Sequence, residues 1–250
     1  EIKEQGSLVL RVAQLLGNLY ERKGDTDKAE ALYKQFAQAN PRSSLPHRAL
    51  RLLNSGTTTK PIISTAQQGA AESFFGLATS LAQQNAQEMA LLFARMGLYL
   101  RPDFPVMQIL LGNLLQIDGQ LENANVVFRA IDASSPHSWP ARLNAAENLN
   151  DLESTDEAAR ILNAMAEEET ELADSLIRLG DIMRARERFV EAETAYDRAF
   201  KRIGTLQPHH WTLLYARGIV LERTKQWNRA EADFLKALEL NPDQPFVLNY

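Results

Sequence analysis

Four histidines, His47, His137, His209 and His210, are the side chains best suited to hold a metal ion or carry a proton in a chain that has no cysteine. None has a second ligand-type residue at a helical metal spacing such as His-x-x-x-His, and His137 and His209 each follow a proline directly. Both are therefore expected in exposed turns, and no metal site is predicted. The run Glu167-Glu168-Glu169 with Glu171 offers paired carboxylates. General acid–base work needs two carboxyls in different environments so that their pKa values separate, and adjacent exposed glutamates share one. The run reads as a solvated face, as does the basic cluster Arg184, Arg186 and Arg188. No Gly-x-Gly-x-x-Gly loop, Gly-rich Lys-Ser/Thr loop or Gly-x-Ser-x-Gly elbow occurs. Without cysteine, thiol catalysis, disulfides and thiolate metal sites are excluded together. These residues predict no enzyme and no cofactor.

Composition narrows the partners. The chain has 250 residues and a formal net charge of −5, with Lys and Arg spread along it rather than clustered. That distribution argues against nucleic acid. The longest apolar runs fall far short of a membrane span, so no transmembrane segment is expected. The absence of cysteine suits an oxidising or a reducing compartment equally. The sequence opens at Glu1 without an initiator methionine, which fits either a removed targeting segment or a shortened chain.

The elements that position any site follow from a pattern that recurs near every thirty-four residues. One copy holds Gly17, Tyr20, Ala29, Tyr33, Phe36 and Pro41; another holds Gly218, Leu221, Ala230, Phe234, Ala237 and Pro242. Gly112, Leu115, Ala124, Phe128, Ile131 and Pro136 make a third, and Gly180, Met183, Ala192, Tyr196 and Ala199 a fourth. A glycine inside a helix costs about 1 kcal/mol relative to alanine, so its return at one phase needs a packing reason, and close approach of two helices supplies it. Repetition on this scale signals a solenoid. The pattern resembles the tetratricopeptide repeat over nearly the whole chain. That resemblance implies an all-α, right-handed superhelical solenoid of antiparallel helix pairs.

One domain over residues 1–250 is expected, because each unit of such an array packs on its neighbours. The units are placed at about 10–43, 69–104, 105–138, 139–172, 173–210 and 211–244. Residues 44–68 read as a short amphipathic helix over Ser44 to Leu53 followed by an inserted loop. In the second unit Gly76 is taken as the packing glycine, which requires two extra residues around Gln83 to Gln87 before Ala90. The unit of Ala146 is degenerate, with Leu162 for the aromatic and Thr170 for the closing proline. Pro208 arrives four residues late, so the preceding helix either gains a turn or breaks at Gly204. Residues 245–250 read as the start of a truncated further repeat, an unfinished end that would be continued or covered by another molecule.

In the family, first helices line a concave groove. Carried onto this sequence, the resemblance places Arg11, Gln14, Asn18, Glu21 and Arg22 at one end, and Phe74, Leu77, Val106, Ile109, Leu110, Asn113 and Gln116 in the middle. Asn144, Glu147, Arg178, Asp181 and Tyr215 follow. A carboxamide both donates to and accepts from a peptide backbone, so this groove suits an extended peptide or a protein partner. The carboxylate clamp of some family members is not expected, because Ile109 and Asp174 stand where lysines would be needed. The expectation is a non-enzymatic interaction scaffold, similar to long bacterial repeat adaptors of the cell envelope. The periplasm or the outer membrane is favoured and the cytoplasm left open. The alternatives are the repeat arm of a larger enzyme, such as a glycosyltransferase, and self-association through the unfinished C-terminal repeat.

Overall fold

In the computed structural model, residues 6–39, 44–55, 60–242 and 244–248 are described. They form a succession of α-helices. The first five are α1 (Gly6–Lys23), α2 (Thr26–Ala39), α3 (Ser44–Asn54), α4 (Ala66–Gln83) and α5 (Gln87–Leu100). Next come α6 (Pro105–Ile117), α7 (Leu121–Arg129), α8 (Ser138–Asp151), α9 (Thr155–Glu168) and α10 (Asp174–Ala185). The chain ends in α11 (Phe189–Ile203), α12 (Trp211–Arg223), α13 (Trp227–Leu240) and the short α14 (Pro245–Leu248). The chain divides into two compact units, Glu1–Ala141 and Arg142–Tyr250.

Six helix pairs share one turn. In each, a residue with positive φ stands seven positions after the small residue of the first helix: Gly24 (80°), Asn85 (59°), Gly119 (74°), Glu153 (60°), Glu187 (59°) and Lys225 (62°). The next residue's amide reaches back five positions, as in Ala86 N to Leu81 O (2.9 Å), Gln120 N to Leu115 O (2.8 Å) and Arg188 N to Met183 O (2.8 Å). A left-handed residue closing such a bond satisfies carbonyls that the helix end would otherwise leave open. The same residue's carbonyl then receives the amide of the alanine that starts the second helix, as at Ala124 N to Gln120 O (2.9 Å).

Sixteen positions after the small residue comes the side chain that fills against it. A Cβ added at Gly17, Gly112, Gly180 or Gly218 would run into the ring of Tyr33, Phe128, Tyr196 or Phe234, respectively. Where the first helix carries Ala78 or Ala146 instead, the partner position holds Ala94 or Leu162, and all four are fully buried. Glycine therefore pairs with a ring and alanine with an aliphatic group, so that the summed volume suits a close-packed interior.

This periodicity corrects the second pair. Gly76 has open space where a Cβ would go. Ala78, twelve residues before Ala90 as in every other pair, is the packing residue and is fully buried. The two extra residues disappear. Thr65 caps α4 by accepting from Gln68 N (3.2 Å), so the helix begins three residues before Gly69.

The remaining irregularities also resolve. α3 is the short helix expected, and α1 and α4, the first helices on either side of it, touch directly. The late Pro208 reflects a break: α11 ends at Gly204, whose φ is 63°, and Pro208–His210 form a 3-10 turn. The proline and the following residues of the first closing turn lie outside the described residues, as does the end of the chain after Leu248.

Candidate functional site

The first unit contains a cavity of about 500 Å³. One wall is α1, through Arg11, Gln14, Asn18 and Glu21, with Tyr33 and Phe36 of α2 behind them. Phe104, Pro105 and Val106, where α6 begins, form another. Pro136 and His137 close it at the turn before α8, and Lys60, Pro61 and Ile62 of the inserted segment cross it.

A charged cluster supports the α1 wall. The guanidinium of Arg11 forms a bidentate pair with Glu72 of α4 and donates to Gln14 Oε1 (3.1 Å). Arg101 reaches the same carboxylate (3.3 Å), and both guanidiniums lie over the Phe104 ring, at 5.3 and 4.6 Å from its centroid. Two cations thus share one buried carboxylate, while Asp103, 3.8 Å from Arg101 Nε, stands out in solvent. Buried charges are tolerated when paired and hydrogen-bonded in this way.

His137 was expected in an exposed turn. It lies instead in the cavity wall, half-buried, positioned by a turn in which Ser134 N donates to Asp132 Oδ1 (2.8 Å) and His137 N to Ser135 Oγ (3.2 Å). Burial, aided by the Arg11 charge, pushes its imidazole down to about 4. His209 is exposed, and His210 accepts from Gln207 N (2.8 Å) within the 3-10 turn. The side chain of His47 lies outside the described residues. Among the described residues no group of three or more His, Asp or Glu could hold a metal ion, and no helix is long and apolar enough to cross a membrane.

Of the ten residues expected to matter most in the groove, Asn18 lines this cavity. Its Nδ2 donates to Lys60 O (3.0 Å) and its Oδ1 accepts from Ile62 N (3.2 Å). Phe74 packs on Phe93 between α4 and α5, with ring centroids 5.8 Å apart. Leu77 is exposed, and Ile109, Asn113 and Asn144 are half-buried. Arg178 pairs with Glu147 of the preceding helix pair, and Asp181 accepts from Tyr196 Oη (2.7 Å). Tyr215 lies 6.1 Å from the Phe234 ring in the cluster around Leu214 and Val247.

Sequence reasoning missed the role of the arginines in the second unit. Arg186 donates to Asn150 Oδ1 (2.9 Å) and Glu153 (2.7 Å), one helix pair earlier. Arg198 reaches Asn163 (2.9 Å) and Glu167 (2.7 Å), and Arg202 donates to the carbonyls of Ala166 (2.8 Å) and Leu172 (2.8 Å). Arg142 holds Glu168 (2.8 Å). Glu167, Arg186 and Arg188 thus bridge successive pairs at the surface, whereas Glu168 and Arg184 pair within their own. The signal was available in the spacing, since Arg186, Arg198 and Arg202 lie about one repeat length from their acceptors, whereas Arg142 meets Glu168 within one pair.

Repeated helix pairs of this geometry define a class of helical repeat, and comparison gives the class its name. Profiles of the tetratricopeptide repeat match residues 13–43 and 170–245. These two stretches of the chain are tetratricopeptide repeats, and the chain has the fold of proteins built from them. Its fold is similar to that of PilW, a type IV pilus biogenesis factor (TM-score 0.61, 13% identity, 96% of each chain covered). It is also similar to MamA from Desulfovibrio magneticus RS-1 (TM-score 0.57, 18% identity, 72% of this chain and 99% of that one). YrrB, a tetratricopeptide-repeat protein with an unusual peptide-binding site, matches with a TM-score of 0.50 at 18% identity, over 74% of this chain and 97% of that one. No curated protein sequence matches the chain.

Proposed function

We propose that this protein is a non-enzymatic scaffold that holds an extended peptide of a partner protein in the cavity of its first unit. The observation that carries the reading is the lining. Polar side chains of a first helix, Arg11, Gln14, Asn18 and Glu21, face an apolar wall of Phe104, Pro105 and Val106 across about 500 Å³. Concave sites with a few placed polar groups on an apolar wall are where ligands bind. Asn18 is already engaged there with main-chain atoms. In a bacterial envelope, such a scaffold would act as an adaptor presenting one protein to another.

Selection of random 12-residue peptides against the purified chain tests this. Selected peptides should bind with a measurable Kd by fluorescence anisotropy and lose about tenfold on Gln14→Ala and more on Val106→Asp. Binding that is indifferent to both substitutions, or lost only on Asn113→Ala with Asn144→Ala, would move the site out of this cavity.

A further inference from the structure

The inserted segment lies where a bound peptide would lie. Residues 60–64 are neither helix nor strand, and Lys60 and Pro61 are exposed. The segment meets α1 through main-chain atoms, its Lys60 carbonyl and its Ile62 amide, both held by the one carboxamide of Asn18, itself only 9% exposed. A carboxamide can donate and accept at once, so it reads an extended backbone on either side of a single residue. Here that residue is Pro61, which has no N–H to leave unsatisfied.

The other end of the segment is fastened to α4. Ser64 N and Oγ donate to Gln68 Oε1 (2.7 and 2.9 Å), and Thr65 caps the helix. The segment is therefore a strap, anchored at α4 and laid against α1 by two hydrogen bonds that involve none of its own side chains. Beyond it the cavity stays open towards Arg11, Gln14 and His137.

We infer that residues 60–62 are an internal occupant of a backbone-reading subsite at Asn18, and that an extended peptide entering the cavity displaces them. This rests on the peptide-groove reading above and adds a competitor to it. The apparent affinity of an incoming peptide is then lowered by the fraction of molecules whose strap is released. Because the strap is read through its backbone, the subsite tolerates many sequences, and an extended segment with proline at its centre fits it without a lost donor.

The test uses the strap itself as probe, a capped peptide of sequence Lys-Pro-Ile-Ile-Ser-Thr. Ile62→Pro removes the amide that donates to Asn18 Oδ1 and so loosens the strap while leaving the α1 and α6 walls of the cavity unchanged. The peptide should bind the Ile62→Pro chain about tenfold or more tighter than the intact chain, and adding Asn18→Ala should abolish the gain. Hydrogen exchange reads the internal contact without any ligand. The Ile62 amide should exchange at least about tenfold faster in Asn18→Ala, while Asn18→Asp, which keeps the acceptor, retains most of the protection. Unchanged exchange in α12 certifies that the variants fold.

Equal binding of the probe to the intact and Ile62→Pro chains, or an Ile62 amide indifferent to Asn18→Ala, overturns the strap. If peptides selected on the intact chain map to the cavity but bind both forms alike, the strap falls and the groove stands. If neither the probe nor any selected peptide binds either form, both fall.

Discussion

Each unit sets an arginine–carboxylate cluster against a phenylalanine, and the two clusters differ in which group is shared: two arginines share one carboxylate in the first, and one arginine reaches two carboxylates in the second. In the first unit, Arg11 and Arg101 share Glu72 over Phe104. In the second, Arg217 forms a bidentate pair with Asp233 (2.7 and 2.7 Å), donates to Asp197 (2.9 Å) and lies 3.9 Å from the Phe200 ring centroid. Two guanidiniums on one buried carboxylate face a cavity; one guanidinium reaching two carboxylates, of which Arg229 also holds Asp197 (2.9 Å), braces packed helices. The same residue types thus serve a site in one unit and a frame in the other, and what separates them is whether a repeat has been interrupted beside them.

The largest expected effect tests that division. Arg217→Met leaves Asp233, whose side chain is 9% exposed, without its guanidinium, and should cost about 3 kcal/mol in urea unfolding. Arg11→Met should cost only about 1 kcal/mol, because Glu72 keeps Arg101 at 3.3 Å. Equal losses would show that the first cluster is as much a brace as the second. The exposed ladder is a third case: Arg188→Ala, which gives up Asp156 and Glu191 at the surface, should cost less than about 1 kcal/mol.

The next effect should be the same in both units, since the glycine–ring pairs are common to them. Gly112→Ala and Gly180→Ala each push a Cβ into a buried ring and should cost about 2 kcal/mol. Gly180→Ala combined with Tyr196→Leu recreates the Ala146–Leu162 pair. The double variant should be more stable than the sum of its parts, by about 1 kcal/mol in a double-mutant cycle. Strict additivity would mean that the two positions do not select each other by size.

That pairing was legible in the sequence, and the site was not. Gly17, Gly112, Gly180 and Gly218 recur with their rings at a fixed distance, because the geometry that needs them recurs. Gly76 misled because glycine alone was used as the phase marker. Ala90 counted back twelve residues to Ala78, and Thr65-x-x-Gln68 as an N-terminal cap, were both present and agree with the structure. Asn18 was picked as a reader of peptide backbone, but nothing local reveals that the backbone it holds lies forty-two residues further along the same chain. Arg11 and Arg101 meet at Glu72 only because α1 and α4 touch across the insertion. Contacts of that kind depend on how the chain returns to itself, which periodicity does not encode.

His137 sharpens the first unit's side of the comparison through pH. Its imidazole sits at about 4 in the folded chain, held there by burial and by Arg11, against an ordinary value near 6.5. Below about pH 6.5 the unfolded chain takes up a proton that the folded chain refuses, so stability falls as pH drops from about 6.5 towards 4 and is unaffected above that window. Between pH 7 and pH 5 the intact protein should lose about 1–2 kcal/mol more than His137→Gln. Identical pH profiles for the two would place His137 in contact with solvent rather than in the cavity wall.

The smallest effect concerns the shared turn, where the two units differ in residue type but not in backbone. At the left-handed position the first unit uses Gly24, Gly119 and Asn85, an asparagine being the residue after glycine that tolerates this position best, whereas the second uses Glu153, Glu187 and Lys225, with φ between 59° and 62°. A side chain in that conformation costs about 1–2 kcal/mol, partly offset because glycine makes the unfolded chain more disordered. Lys225→Gly should therefore raise stability by about 0.5 kcal/mol, and Gly119→Lys should lower it by a similar or larger amount, read as opposite shifts of the urea midpoint at constant slope. If Lys225→Gly is destabilising, the side chain there contributes something that the turn geometry alone does not explain. The second unit would then carry a surface contact at this turn that the first unit lacks.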